Sequence, residues 1–371
     1  MTTANPALPE RIVKTGQRGI AHPLSEFSAL MHTVREAGLL RRRVGYYAAV
    51  FATITVAMGG AWYGFAMLQE SWFVLLIAGA LGVLFTQYAF IGHELAHRQV
   101  FTSGRVNDIV GRFMADLVVG ISYSWWMTKH SRHHANPNTV DKDPDIETDF
   151  IIFQREKAVG LSGMTKVLAT RQGYLFFPAL LLEGVNLHLH AFKTVFSPGK
   201  VDKRALEIVL LLLRNVGLIA VVFAFLPLGM GFAFLGVMLA VFGVYMGASF
   251  APNHKGMPIL PKNSKVDFLR RQVLTSRNIK GGPMMDHLMG GLNYQVEHHL
   301  FPNMPRANLK RASEIVREYC TSRGIRYTEV GLFTSYGIVI RYLNDVGLGA
   351  GGDPFDCPAA GRTGYTGGFA G

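Results

Sequence analysis

The chain has 371 residues, 49% of them hydrophobic, and a formal net charge of +12 at neutral pH. This length and composition fit either two modest soluble domains or a single membrane protein. A basic net charge is also typical of nucleic-acid-binding proteins. Here, however, the basic residues follow a distribution typical of membrane proteins, which argues against a nucleic-acid partner.

Residues 1–43 form a polar stretch that we interpret as a cytoplasmic N-terminal arm. Beyond it lie long stretches without Asp, Glu, Lys or Arg, the longest of which runs from residue 215 to residue 253. A spanning helix needs about 20 mostly apolar residues, whereas helices buried in a soluble protein normally keep a polar face. These stretches predict four membrane spans in two hairpins, near residues 44–68, 71–92, 206–226 and 231–250.

The distribution of Lys and Arg predicts how these spans are oriented. All but one of the 37 basic residues lie in the N-terminal arm, in the loop 93–205 or after the fourth span. Because positive residues stay on the cytoplasmic face, both termini and the long loop are predicted to be cytoplasmic in a multi-pass cell-membrane protein. The exception is Arg214, well inside the third span, which is expected to pair within the bundle or to line a polar cavity.

The loop between the two hairpins contains one more apolar segment, residues 173–195. We interpret it as a helix on the membrane surface or packed on the core, because a fifth span would reverse the sidedness of everything downstream. Residues 254–346 are predicted to be mostly helical, and the Gly-rich residues 347–371 to be a disordered tail. The predicted fold is all-α, with four spans and a cytoplasmic helical cap within a membrane domain of residues 44–346.

Histidines are concentrated in three short segments, which we call the first, second and third boxes. With one more histidine after the fourth span, they are His93, His97, His130, His133, His134, His254, His298 and His299. Spacings of three and four residues place side chains on one face of a helix, and the predicted topology brings all boxes to the same side. Neutral imidazole suits Fe, Zn, Cu or Ni. Eight imidazoles are too many for one ion, so two metal ions are predicted.

The first box by itself has a second interpretation. His93-Glu94-Leu95-Ala96-His97 is also the zinc-protease pattern, in which two histidines bind zinc and the glutamate acts as general base. A membrane zinc protease is therefore a competing hypothesis, although it needs only one further ligand and leaves two boxes unused. A metal transporter is disfavoured, because its ligands should lie at the membrane midplane rather than at span ends.

The three boxes resemble those of the integral-membrane fatty acid desaturase family, which has an HxxHH second box and an HxxHH or QxxHH third box. The second box here is His130-Ser-Arg-His133-His134, and the third is Gln295-Val-Glu-His298-His299. The third box and its flanks, residues 286–302, are similar to the front-end and linoleoyl-CoA-desaturase-like branch. The resemblance covers roughly residues 45–330.

This resemblance implies a non-haem centre of two iron ions, with the eight histidines above as ligands and dioxygen as co-substrate. Gln295 occupies a ligand position of relatives with an HxxHH box, so it is expected to bind iron, to bind through water, or only to orient a ligand. Glu94 stands where Asp is commoner in the family. Further candidates for a ligand or an orienting role are Gln295, Glu94, Asn253 and Asp286.

The implied activity is the introduction of a cis double bond into an acyl chain, carried by CoA or a membrane lipid, using dioxygen and two electrons. The metal supplies the oxidising power, and the position of the chain beside it sets which bond reacts. The alternative within the same chemistry is a fatty-acyl or alkane hydroxylase. Since the chain has no His-Pro-Gly-Gly haem-binding motif, a separate ferredoxin- or cytochrome-type electron donor with its reductase is expected.

Overall fold

The computed structural model describes residues 25–148 and 150–349, and these residues are mostly helical. The helices are α1 (Glu26–Glu36), α2 (Val44–Leu68), α3 (Val74–Ala96), α4 (Gly104–Arg112), α5 (Tyr123–Ala135), α6 (Arg155–Ala158), α7 (Gly163–Ala169), α8 (Gln172–Ala179), α9 (Glu183–Phe196), α10 (Arg204–Phe225), α11 (Leu228–His254), α12 (Phe268–Leu274), α13 (Pro283–Leu288), α14 (Gln295–Leu300), α15 (Arg306–Ser322) and α16 (Leu332–Leu348). A π-helix, Phe113–Val119, continues α4, and 3₁₀ turns, Leu180–Leu182 and Leu292–Tyr294, precede α9 and α14. The all-α fold class predicted from the sequence is confirmed.

The strands β1 (Asn278–Lys280) and β2 (Glu329–Gly331) pair in parallel, with Ile279 opposite Val330. Residues 347 and 348, which were predicted to begin the disordered tail, instead end α16. The predicted tail from residue 350 onward lies outside the described residues. The first 24 residues of the predicted N-terminal arm also lie outside them.

Within the described ranges, five helical segments are long and apolar enough to cross a membrane, judged by length and composition alone. They are Val44–Leu68, Val74–Ala96, Gln172–Phe196, Arg204–Phe225 and Leu228–His254. Four of these correspond to the predicted spans, although the second starts at residue 74 rather than 71 and the fourth continues to residue 254. The fifth is the apolar segment that we placed outside the membrane, so length and composition allow either four or five spans.

The central pair of long helices is α3 and α11, which approach closely because glycines replace larger side chains at their contact. A Cβ atom on Gly82 of α3 would lie 2.7 Å from the carbonyl oxygen of Met238 in α11. Farther from the histidine boxes, the core between the helices is apolar. There the rings of Phe65 and Phe234 contact edge to face, with their centroids 5.1 Å apart. Since α3 and α11 end at Ala96 and His254, their pairing brings the first box and His254 to the same end of the helix bundle.

The cap has its own hydrophobic core, formed by α1, α12, α14 and α15, and centred on Leu30, Val273, Phe301 and Val316. Its helices begin where the sequence supplies a capping side chain. For example, the Asp267 carboxylate accepts a hydrogen bond from Arg270 N at the start of α12. In the same way, the hydroxyl of Ser122 accepts one from Trp125 N at the start of α5, the helix that carries the second box.

Candidate metal centre

The histidines of the three boxes converge into two adjacent groups. The larger group contains His93, His97, His130, His134 and His298, and the smaller contains His133, His254 and His299. Within each group, one nitrogen from every ring lies within 4.8 Å of the others. The adjacent histidines of the second box, His133 and His134, belong to different groups, and so do those of the third box, His298 and His299. The rings of His134 and His299, which belong to different groups, stack with their centroids 4.2 Å apart. All eight candidate histidines are therefore together.

In the smaller group, each imidazole is held from outside by its Nδ1 atom. His254 Nδ1 lies 3.0 Å from the Thr275 carbonyl oxygen, and His299 Nδ1 lies 2.9 Å from Gln272 Oε1. Because both partners are acceptors, each Nδ1 must carry the proton, which leaves the lone pair on Nε2. The Nε2 atoms of His133 and His254 lie 3.3 Å apart. Lone pairs thus face the interior of the group, as metal ligation requires.

His133 differs from its neighbours because its outer partner is an acidic residue. Its Nδ1 lies 3.0 Å from both carboxylate oxygens of Asp143. Burial lowers the pKa of His133, but the carboxylates of Asp143 and Asp145 outweigh burial and raise it above its ordinary value. A carboxylate in this position increases the basicity of a ligating imidazole.

The larger group has few protein partners for its ring nitrogens. His130 Nε2 lies 3.1 Å from His93 Nε2 and 2.8 Å from His97 Nε2, so the three Nε2 atoms are close together. Both ring nitrogens of His134 and the Nε2 of His298 are buried, and they have no hydrogen-bond partner among the described residues. Buried polar atoms are rarely left unpaired in folded proteins. A bound cation would satisfy them.

Burial keeps most of these histidines uncharged. It lowers the pKa of His97 to about 3. It also lowers the pKa values of His130, His134, His298 and His299 well below their ordinary range, with neighbouring histidines adding to the effect. Neutral imidazole is the form that binds a metal ion. Apart from His133, these imidazoles are neutral, and the donor set is made of nitrogen atoms, which fits iron or another transition metal.

Glu94 of the first box is engaged away from the histidines. Arg306 binds both of its carboxylate oxygens, through Nε at 2.5 Å and one terminal nitrogen at 2.7 Å, and both side chains are buried. The hydroxyl of Tyr47 accepts a hydrogen bond from Arg306 N and donates one to Gln99. The ion pair and this hydroxyl connect α2, α3 and α15.

Asn253 and Gln295 lie at the smaller group, whereas Asp286 lies outside both groups. The amide nitrogen of Asn253 lies within hydrogen-bond distance of three acceptors, the carbonyl oxygens of Ser249 and Leu292 and Gln295 Oε1, which share its two protons. Gln295 Nε2 then lies 2.9 Å from His254 Nε2. The carboxylate of Asp286 instead accepts a hydrogen bond from Asn293.

The comparison with known proteins decides the family. The fatty acid desaturase family matches residues 70–331. The chain belongs to the fatty acid desaturase family. At the level of the family, this confirms the resemblance stated above and the expected class of enzyme, an oxygen-dependent oxidoreductase.

Three relatives illustrate the breadth of the family around this desaturase. An acyl-lipid (9-3)-desaturase of Physcomitrium patens is 32% identical over 74% of this chain, which spans 53% of that protein. The Delta(8)-fatty-acid desaturase 2 of Arabidopsis thaliana is 27% identical over 80% of this chain and 69% of its own length. The Delta(6)-fatty-acid desaturase fat-3 of Caenorhabditis elegans is 27% identical over 87% of this chain and 75% of its own length.

Sequence reasoning missed several residues of the desaturase site. Gln272 and the Thr275 carbonyl orient two histidines from α12 and its C-terminal end, and no local pattern marks them. Trp126 stacks on His130 with ring centroids 4.3 Å apart. The sequence did give an indication of Asp143, because it follows the second box within an Asp-rich stretch. Its contact with His133, however, depends on how the loop folds back.

Proposed function

We propose that this protein is a membrane fatty acid desaturase whose two histidine groups each hold one iron ion, and that it introduces a cis double bond into the acyl chain of a CoA thioester or a membrane lipid. The observation that carries the proposal is the convergence of eight buried or half-buried histidines into two adjacent groups in a member of this family. The named relatives above are all desaturases, which supports desaturation over hydroxylation.

The chemistry that bound iron supplies is the oxidation of an unactivated C–H bond with dioxygen and electrons from a donor, which acid–base side chains cannot perform. The protein's own residues prepare this site. Thr275, Gln272 and Asp143 hold three rings with Nε2 facing inward. Burial keeps most of the ligands neutral.

Gln295 is proposed to donate a hydrogen bond rather than to ligate a metal. Asn253 cannot be turned around, because its amide nitrogen donates to two backbone carbonyl oxygens. That nitrogen also lies 3.1 Å from Gln295 Oε1, and turning the Gln295 amide around would place two donors against each other there, so the Gln295 nitrogen faces His254. A neutral amide nitrogen is a donor without a lone pair for a metal. In the metal-free protein this nitrogen donates to His254 Nε2, and a metal ion on that atom would leave the Gln295 N–H free to orient another group at the centre.

The ion pair of Glu94 argues against the zinc protease. A general base in such an enzyme must have a carboxylate free to polarise the metal-bound water. Both oxygens of Glu94 are bound by Arg306, which is itself buried. Glu94 is therefore proposed to position the first box and not to take part in the reaction.

We also infer that the apolar segment Gln172–Phe196 lies on the membrane surface or packs on the core without crossing the bilayer, which keeps four spans and a cytoplasmic centre and termini. Its first residue binds Ile152 and the Leu343 carbonyl oxygen in α16, next to the cap. Near its other end, His190 stacks on Trp125 of α5 at 5.7 Å. Contacts at both ends are thus made with elements on the histidine side of the bundle.

The electrons are proposed to come from a separate ferredoxin- or cytochrome-type protein with its reductase. The basic excess of the chain would favour an acidic partner, and complementary charge increases the rate of encounter. Trp126 is half-buried and stacks on His130, so it lies between the second box and the protein surface.

The test is expression in a bacterial host together with a ferredoxin system, beside the variants His134→Ala and His298→Ala. Fatty acids are analysed as methyl esters by gas chromatography and mass spectrometry, with chemical location of double bonds, and iron is measured in the purified protein. A new unsaturated acid that both variants lack is expected. A hydroxy acid would instead assign a hydroxylase, and zinc without iron, with no product, would overturn the proposal.

A further inference from the structure

Arg214 is a charged residue inside a membrane span. It lies ten residues after the first residue of α10, a helix long and apolar enough to cross a membrane. At 1.5 Å per residue it is about 15 Å along the helix axis, near the middle of a hydrocarbon core about 30 Å thick. Charged side chains at this depth are costly, and they are kept where they pair or bind something.

The guanidinium of Arg214 is held in place without being neutralised. Its Nε donates to the Val118 carbonyl oxygen at 2.7 Å, and its central carbon lies 4.3 Å from the centre of the Phe85 ring. Gly120, with φ of +94°, makes room for the side chain, since a Cβ there would lie 3.3 Å from Arg214 Cγ. In the part of the chain that the structure describes, no carboxylate pairs with Arg214. Its terminal N–H groups are therefore available to a ligand.

Arg214 lines a cavity of about 370 Å³ between α2, α3, α10 and the π-helix. This volume falls in the range of about 300–1,000 Å³ that is typical of small-molecule sites. Most of the lining is apolar or aromatic, including Trp62, Phe85, Leu117 and Leu218, and no histidine of the metal centre contributes to it. Leu213, on the same wall, is 60% exposed, so the cavity opens laterally toward the surroundings of the spans.

We propose that this cavity binds an unesterified long-chain fatty acid, with its carboxylate on Arg214 and its chain along the apolar wall. A planar carboxylate accepts two parallel N–H bonds from a guanidinium, and that pairing offsets the cost of a charge at this depth. The phosphate of a bilayer phospholipid stays in the headgroup region, roughly 15 Å away by the helix rise above. An acyl ester or thioester has no negative charge at its carbonyl, so the site favours the free acid over esterified chains.

Trp62 provides a direct test, because it lines the cavity and bromine atoms quench tryptophan fluorescence on contact. Purified full-length protein is titrated with dibromostearate at mildly alkaline pH, where the acid is ionised. The quenching is expected to be absent in Trp62→Phe and to be weaker, by about tenfold or more in apparent affinity, in Arg214→Met. The methyl ester of the same acid is expected to give at most non-specific quenching that does not depend on Arg214.

Two further variants serve as a control for the loss of charge and as a second way to block the cavity. Arg105→Met removes the same charge from an exposed position on α4 and is expected to bind like the unmodified protein. Gly217→Leu fills the cavity from a wall position where an added Cβ meets open space, and it should abolish quenching even if Arg214→Met does not fold. Quenching that persists in Gly217→Leu, or that the methyl ester reproduces, would overturn the proposal. Arg214-dependent quenching by a brominated anionic phospholipid would assign the site to a lipid headgroup instead.

Discussion

In the smaller histidine group, the hydrogen bonds made by the Nδ1 atoms fix the orientation of the imidazole rings. Gln272 and the Thr275 carbonyl fix two rings by accepting from Nδ1, and Asp143 holds His133. Losing such a partner typically reduces metal affinity by about 10–100-fold. The roles of ligands and of their partners are therefore separable by measuring metal content and activity in the same variants.

Variants of Gln295 and His254 can distinguish a residue that orients a group at the centre from a residue that binds the metal. Because Gln295 presents its amide nitrogen, Gln295→Ala is expected to retain iron close to the unmodified stoichiometry while activity falls. His254→Ala is expected to lose iron from the smaller group as well as activity. Iron per chain, measured by mass spectrometry of the purified proteins, distinguishes them. If Gln295→Ala loses as much iron as His254→Ala, Gln295 is a ligand and the orientation argued here is wrong.

The buried ion pair of Glu94 and Arg306 allows a stability prediction. Arg306→Met leaves the Glu94 carboxylate buried without a partner, which typically costs about 3–5 kcal/mol. The double variant Glu94→Leu/Arg306→Met removes both charges and is expected to be more stable than the single variant. Thermal unfolding in detergent measures both. A double variant no more stable than Arg306→Met would show that the unpaired charge is not the source of the loss.

At the scale of elements, the contact of α3 with α11 sets the distance between the first box and His254. In Gly82→Ala the new methyl group would lie 2.7 Å from a backbone oxygen of α11, so the helices must separate. The expected loss of stability is about 1–3 kcal/mol, accompanied by lower iron content. Gly59→Ala on α2 is the control, because its Cβ would meet open space. Equal behaviour of the two variants would mean that α3 and α11 adapt without cost.

The position of the segment Gln172–Phe196 is testable by labelling single cysteines in intact cells and in inverted vesicles. Glu156→Cys and Lys200→Cys flank the segment at exposed positions, and Glu70→Cys lies in the turn between α2 and α3. If the segment does not cross the membrane, an impermeant reagent labels residues 156 and 200 from the same side and residue 70 from the other. Labelling of residues 156 and 200 from opposite sides would make the segment a fifth span.

At the scale of the whole molecule, the buried neutral histidines make the metal-free protein sensitive to acid. The pKa of His97 is about 3 in the folded chain, against about 6.5 when unfolded. Between these values the unfolded state binds more protons, so stability falls as pH falls through this window. The unfolding temperature of the metal-free protein is expected to decrease from neutral pH toward pH about 5. Iron loading should raise it at neutral pH, because metal binds only the folded state.

Much of the site could be predicted from the sequence because its parts are local. Each box places its histidines at helical spacing, and the uncharged stretches identify four of the five long apolar helices within a few residues. Partners such as Gln272 could not be predicted in this way. It lies 27 residues from His299 on a separate helix, and only the folding of the cap brings the two together.

The sequence by itself determined the helical class, the apolar segments and the eight histidines, because these depend on composition and on spacing along one helix. Only the tertiary structure decided how the histidines divide into five and three, which way the Gln295 amide faces, and that Glu94 binds Arg306. The tertiary structure also placed Arg214 beside a cavity. These features depend on distances between residues up to 212 positions apart, which packing sets and local pattern does not.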